Sequence, residues 1–119
     1  MASRFTELIV DAADPGGLAE FWAAVLGYRP TGSYEGAVEI AGPRGAAPSI
    51  VFVPVPEAKT VKNRLHIDVN PSGCDQAEEV ERLLALGARR VDVGQGEQSW
   101  VVLADPEGNE FCVLHRRVD

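Results

Sequence analysis

The 119-residue chain predicts an α+β fold of tandem βαβββ modules. Three observations carry this reading. DPGGLAEFWAAVLGYRP (14–30) and CDQAEEVERLLALGARRV (74–91) share one plan: a polar start, an apolar stripe, a Leu-Gly stop, then a basic residue. The stops Gly27 and Gly87 lie 60 positions apart. RFTELIV (4–10) and RLHIDVN (64–70) precede the two segments at that same offset. Two repeated units that pack together leave a cleft, a common place for a small-molecule site.

In module one (4–55), FTELIVDA (5–12) reads as a strand, because Leu8 and Val10 alternate with Glu7, Ile9 and Asp11. Asp14 caps a helix whose first position is Pro15, where a missing N–H does no harm. Leu18, Phe21, Trp22, Val25 and Leu26 form one stripe, so Trp22 reads as core. Burying such side chains contributes on the order of 1.5–3 kcal/mol each, enough to dock the helix on a sheet. Gly27 supplies the left-handed stop. Residues 28–55 read as short strands punctuated by Gly and Pro; AVEIA (37–41) alternates and SIVFVPV (49–55) is the strongest. Pro54 and Pro56 forbid its continuation inside a sheet. PEAKTVKN (56–63) is the connector, and Lys59, Lys62 and Arg64 read there as a solvated basic face.

Module two (64–116) repeats the order. RLHIDVN is a strand, with Leu65, Ile67 and Val69 expected to face a helix. Asp75 and Glu78 form a capping-box pattern. Ala77, Val80, Leu83 and Leu84 make the helix stripe, which Gly87 ends. ARRVDVG (88–94), SWVVLA (99–104) and EFCVLHR (110–116) are three further strands. DPEGN (105–109) has the chemistry of a hairpin turn between the last two.

Composition bounds the function. Hydrophobic residues at 45% and charged residues at 24% fit an ordinary globular protein. A net charge of −7 argues against nucleic acid or an anionic membrane as partner. Cys74 and Cys112 show no metal-knuckle spacing and read as reduced thiols, which favours a cytoplasmic setting. No signal-peptide pattern or membrane-length apolar run is present.

The doubled plan, DPGGLAEFWAAVLGY, LHIDV and ADPEGNEFCVL (104–114) together resemble the vicinal-oxygen-chelate superfamily. The nearest branch is that of glyoxalase, bleomycin-resistance and ring-cleaving dioxygenase proteins. The resemblance covers nearly the whole chain. It implies two modules forming one domain (1–119), with an open, curled β-sheet barrel around a cavity, and it implies a homodimer. Enzymes of the superfamily hold a divalent metal that chelates adjacent substrate oxygens; its resistance members sequester a drug without metal. The implied ligands come from the first and last strands of each module. His66 takes the first-strand position of module two. Alternation matches Leu8 and Val10 with Ile67 and Val69, so Glu7 matches His66, although the bare offset would select Thr6. The family's glutamate position in the last strand falls on Cys112, and the module-one counterpart falls near Val53, which cannot ligate. Cys112 could bind a soft ion such as zinc, but Glu7, His66 and Cys112 make an irregular set.

The expectation is therefore a small-molecule-binding protein of glyoxalase-like fold with an eroded metal centre. Glu7, His66, Asp68, Trp100 and Cys112 are expected to line the cavity. No cofactor is expected, a divalent metal being the alternative. Two other functional readings stand beside it: a metal-dependent lyase, isomerase or dioxygenase, and a drug-sequestering protein of the bleomycin-binding kind. An acidic cavity with Trp100 would suit a cationic, planar compound. Bland readings also stand. His66 could be a hydrogen-bonded cavity residue, Glu7 and Asp68 could reach solvent, Trp100 could be core, and Cys112 reads as a small filler rather than a nucleophile.

Overall fold

Two four-stranded sheets and two helices account for the chain in the computed structural model, which describes residues 1–119. The chain divides into two compact units, Met1–Ala58 and Lys59–Asp119. Each runs strand, helix, three strands.

In the first unit β1 (Glu7–Ala12), α1 (Pro15–Leu26), β2 (Arg29–Tyr34), β3 (Ala37–Ala41) and β4 (Ser49–Pro54) build a sheet of order β1-β4-β3-β2. β1 and β4 are parallel, and the later strands pair antiparallel. Asp14 caps α1 by accepting from the Gly17 N–H at 3.2 Å, and Gly27 ends it at φ 68°. Leu18, Phe21, Trp22 and Val25 are buried as the stripe requires, and Leu26 is half-buried. Phe21 and Trp22 meet edge to face, their ring centres 5.5 Å apart. They pack toward Ile40, Ile50 and Phe52 of the sheet α1 covers, all three of them buried. β4 stops at Pro54, where the ladder loses its donor.

The second unit holds β5 (Ile67–Val69), α2 (Gln76–Leu86), β6 (Arg89–Arg90), β7 (Val101–Ala104) and β8 (Glu110–Val113), in sheet order β5-β8-β7-β6. β5 is parallel to β8, while β7 pairs antiparallel with both β8 and β6. Val80 and Leu83 of α2 are buried, as are Leu103, Phe111 and Val113 of the sheet. α2 lies against β8, and Gln76 Nε2 donates to the Val113 carbonyl at 3.0 Å.

Four local expectations change. Leu65 is 82% exposed and lies outside β5. Only 67–69 find ladder partners on β8, and the register would carry 65 to 109, before β8 begins. Ala77 is exposed, whereas Glu79 is buried in the stripe. Its carboxylate accepts from Arg82 Nε at 2.8 Å and Nη2 at 2.9 Å, and from the Cys74 thiol at 3.8 Å. The strand expected over 88–94 shrinks to Arg89–Arg90. Beyond it, Asp92 accepts from the Gly94 N–H at 2.7 Å and Gln95 Oε1 from the Val93 N–H at 2.9 Å, so side chains replace the ladder. The strands expected over 99–104 and 110–116 likewise shorten to the four residues each of β7 and β8.

The DPEGN turn is built around Asp105, which is wholly buried. Asp105 Oδ1 accepts from the backbone N–H groups of Glu107 and Asn109, both at 2.9 Å. The Asn109 side-chain amide donates to both carboxylate oxygens, at 3.2 and 2.9 Å. Gly108 takes φ 88°, a value only glycine adopts without strain.

Candidate functional site

Alternation along β5, β7 and β8 sorts module two into two faces. Ile67, Val69, Leu103, Phe111 and Val113 belong to the face buried with α2. The opposite face carries His66 and Asp68, then Trp100 and Val102, then Glu110, Cys112 and Leu114. Register makes this one surface, because Cys112 lies opposite both Asp68 and Val102. With Lys62, Val93 and Gln95 it lines an open cleft of about 370 Å³. That volume lies at the small end of ligand sites, roughly 300–1,000 Å³.

The structure thus brings four of the expected residues together: His66, Asp68, Trp100 and Cys112. Glu7 lies on β1 in the first unit and is exposed; it is not among the residues lining this cleft. Trp100 is 37% exposed.

His66 Nε2 stands 3.1 Å from Asp68 Oδ1, and both side chains are about half exposed (47% and 48%). One donor atom each from His66, Asp68 and Cys112 lies within 4.8 Å of the other two. Cys112 is buried. Burial pushes its thiol pKa up, and Asp68 adds to this through its charge and a hydrogen bond from the thiol; Lys62 acts weakly the other way. A thiol held protonated beside a carboxylate is a poor nucleophile, so the Cys-His-Asp grouping is not a primed covalent centre. Its donors do suit a metal. An imidazole, a carboxylate and a thiolate are each zinc ligands at roughly 2.0–2.3 Å, and three protein donors leave one coordination position open.

Sequence reasoning missed Glu110 and read Lys62, a lining residue, as part of a solvated face. Glu110 follows from period two, since 110, 112 and 114 share a face. Its Oε2 accepts from Lys59 Nζ at 3.0 Å, and its Oε1 from the Asn63 backbone N–H at 3.0 Å. Burial opposes its ionisation, but the Asn63 N–H and the Lys59 ammonium outweigh that and hold its pKa below the ordinary glutamate value. Asn63 Nδ2 also donates to Asn109 Oδ1 at 2.8 Å. The connector is therefore strapped to the DPEGN turn, and Lys59 is an ion-pair partner rather than part of a solvated face. Lys62 Nζ donates only to the neighbouring Asn63 carbonyl, at 3.3 Å, and Lys62 lines the cleft.

The residues quoted above agree with what comparison finds. The glyoxalase-like domain family matches residues 7–114. The chain belongs to that family, within the vicinal-oxygen-chelate superfamily. Among solved structures it is similar to a "possible glyoxalase" from Bacillus cereus, at 17% identity and TM-score 0.67, over 95% of this chain and 99% of that one. It is also similar to the fosfomycin resistance protein FosX from Mesorhizobium loti, at 13% identity and TM-score 0.71, over 95% and 92% of the two chains. FosX from Listeria monocytogenes, complexed with Mn(II) and sulfate, matches at 17% identity and TM-score 0.72, over 99% and 93%. At these identities the likeness is one of fold. No curated protein matches the sequence. No helix is long and apolar enough to cross a membrane.

Proposed function

We propose that the protein binds a small organic molecule in the module-two cleft. The observation that supports this is the make-up of the helix-free sheet face. Trp100, Val93, Val102 and Leu114 offer apolar surface, while His66, Asp68, Cys112 and Lys62 offer polar groups beside it. A ligand with a planar body and a polar, oxygen-bearing end fits that division. Lys62, which has no carboxylate partner among the ion pairs, adds a cationic contact that a purely acidic cavity would lack.

A metal-assisted lyase or isomerase is the second reading, and the three-donor cluster favours it. A metal there would polarise substrate oxygens. Such chemistry also needs a base free to take a proton. Glu110, the cleft's other carboxylate, is tied to Lys59 and Asn63 and held at low pKa. That leaves binding ahead of turnover. Fosfomycin resistance belongs to the FosX proteins.

The test is a calorimetric and fluorescence titration of metal-free protein with planar cationic aromatics and with small aromatic carboxylates. Trp22 is buried in α1, so quenching reports Trp100. Saturable binding that is lost in His66→Ala, with thermal stability unchanged, supports the proposal. Absence of saturable binding by either class, or full binding by His66→Ala, overturns it.

A further inference from the structure

We infer that Cys112 makes the His66–Asp68–Cys112 cluster a site for a thiophilic divalent ion of the zinc type, rather than for a hard ion such as the Mn(II) held by the Listeria FosX structure. The inference concerns the same cleft as the proposed function but does not depend on an organic ligand.

The geometry comes first. Asp68 and Cys112 are directly opposed on adjacent parallel strands, and His66 precedes Asp68 by two residues on the same face. Sheet register therefore fixes Asp68 against Cys112 before any ion arrives, and the contact with Asp68 holds His66 beside them. Their donor atoms already lie within 4.8 Å of one another, and His66 Nε2 and Asp68 Oδ1 are 3.1 Å apart. Two atoms that bind one ion at roughly 2.0–2.3 Å can stand no farther apart than the sum of their bonds, about 4.0–4.6 Å, so side-chain rotation must draw any wider pair inward before all three bind. The cluster is also the one group of three or more His, Cys, Asp or Glu donors in the chain.

The chemistry then decides which ion. Manganese favours oxygen ligands in an octahedral set, and a sulfur donor adds little for it. Zinc accepts nitrogen, oxygen and sulfur in a four-coordinate set, and the fourth position here is left to water. The Irving–Williams order already places zinc above manganese at nitrogen and oxygen sites, and thiolate widens that gap. Binding displaces the Cys112 proton to solvent, since the thiolate is the ligand.

The experiment uses reduced, chelator-treated full-length protein, titrated separately with Zn(II), Co(II) and Mn(II). Expected results are one equivalent of zinc, one of cobalt with a thiolate-to-cobalt charge-transfer band, and manganese binding weaker by roughly 100-fold or more. Cys112→Ser should abolish the band and weaken zinc binding by at least about 10-fold, on the scale at which even supporting partners of metal ligands matter. Cys74→Ser, which alters the other thiol, should change neither. Circular dichroism checks that each variant is folded; if Cys112→Ser is not, the wild-type zinc and manganese affinities still decide. No zinc binding, manganese binding as tight as zinc, or a band that survives Cys112→Ser or disappears in Cys74→Ser overturns the inference. Organic-ligand binding is measured without metal, so either idea can fail alone.

Discussion

Replacing Asp105 by alanine removes the acceptor around which the 105–109 turn is folded. Two backbone N–H groups, from Glu107 and Asn109, point at Asp105 Oδ1 at 2.9 Å, and the Asn109 amide spans both oxygens. Hydrogen bonds to a charged acceptor contribute roughly 1.5–3 kcal/mol each. Pro106 is exposed and Glu107 half-buried, so water can reach part of what the alanine leaves bare. A net loss of about 3 kcal/mol follows, nearer to two bonds than to four. For a chain of this length that is a fall in Tm of roughly 10–15 °C. Asp105→Asn keeps one oxygen for the two backbone donors but sets its NH₂ against that of Asn109, so about 1–1.5 kcal/mol is expected. Urea unfolding followed by tryptophan fluorescence measures both. If Asp105→Ala stays within about 0.5 kcal/mol of wild type, a typical surface effect, or if Asn and Ala cost the same, the turn does not depend on this acceptor.

Glu110→Gln tests the connector strap through pH. The folded pKa of Glu110 is depressed, so its contribution is complete above the ordinary glutamate range and is lost as pH falls through the folded value. Wild type should exceed the variant by about 1–2 kcal/mol at neutral pH, with the gap closing on acidification; a gap constant with pH in chemical denaturation would contradict the assignment. Arg82→Met strands the buried Glu79 carboxylate. A loss of about 1–2 kcal/mol is expected, below the full cost of breaking a buried pair because Arg82 is itself nearly half exposed, and adding Glu79→Leu should recover most of it in a double-mutant cycle. Gly27→Ala places a side chain at φ 68° and should cost about 1–2 kcal/mol in thermal unfolding, although no atom crowds the site.

Local signals reached as far as local physics governs. Asp14 and Asp75 both cap as their positions suggested, the latter through the Glu78 N–H at 2.9 Å. DPEGN joins β7 to β8 as a hairpin. Alternation placed His66 and Asp68 on one face, because a strand buried on one side has only one tolerable register; Cys112 came from the family resemblance. Four features depended on something outside the local window. The extent of β5 depends on its ladder partners on β8. The burial of Glu79 needs Arg82 and Cys74 to fold toward it. The end of β6 is decided by side-chain acceptors at Asp92 and Gln95. The low pKa of Glu110 comes from Lys59 and Asn63, more than 45 residues away.

The two modules show which face of such a sheet is free to acquire chemistry. Aligning Leu8 and Val10 with Ile67 and Val69 carries Ile50 and Phe52 onto Phe111 and Val113, through the parallel pairs β1–β4 and β5–β8. Every one of these residues is apolar, because a helix must pack on them. The same alignment carries Cys112 onto Val51 rather than Val53, Asp68 onto Ile9 and His66 onto Glu7. On that other face the identities differ at every position. Ile9 is 52% exposed and Val51 half-buried, so neither is held by packing against α1. Glu7 already offers a carboxylate, so a donor cluster in module one would need changes only at Ile9 and Val51, which cost the core little. Helix packing keeps one face of each sheet apolar and leaves the other open to change; in module two that open face holds an imidazole, a carboxylate and a thiol within reach of a single ion.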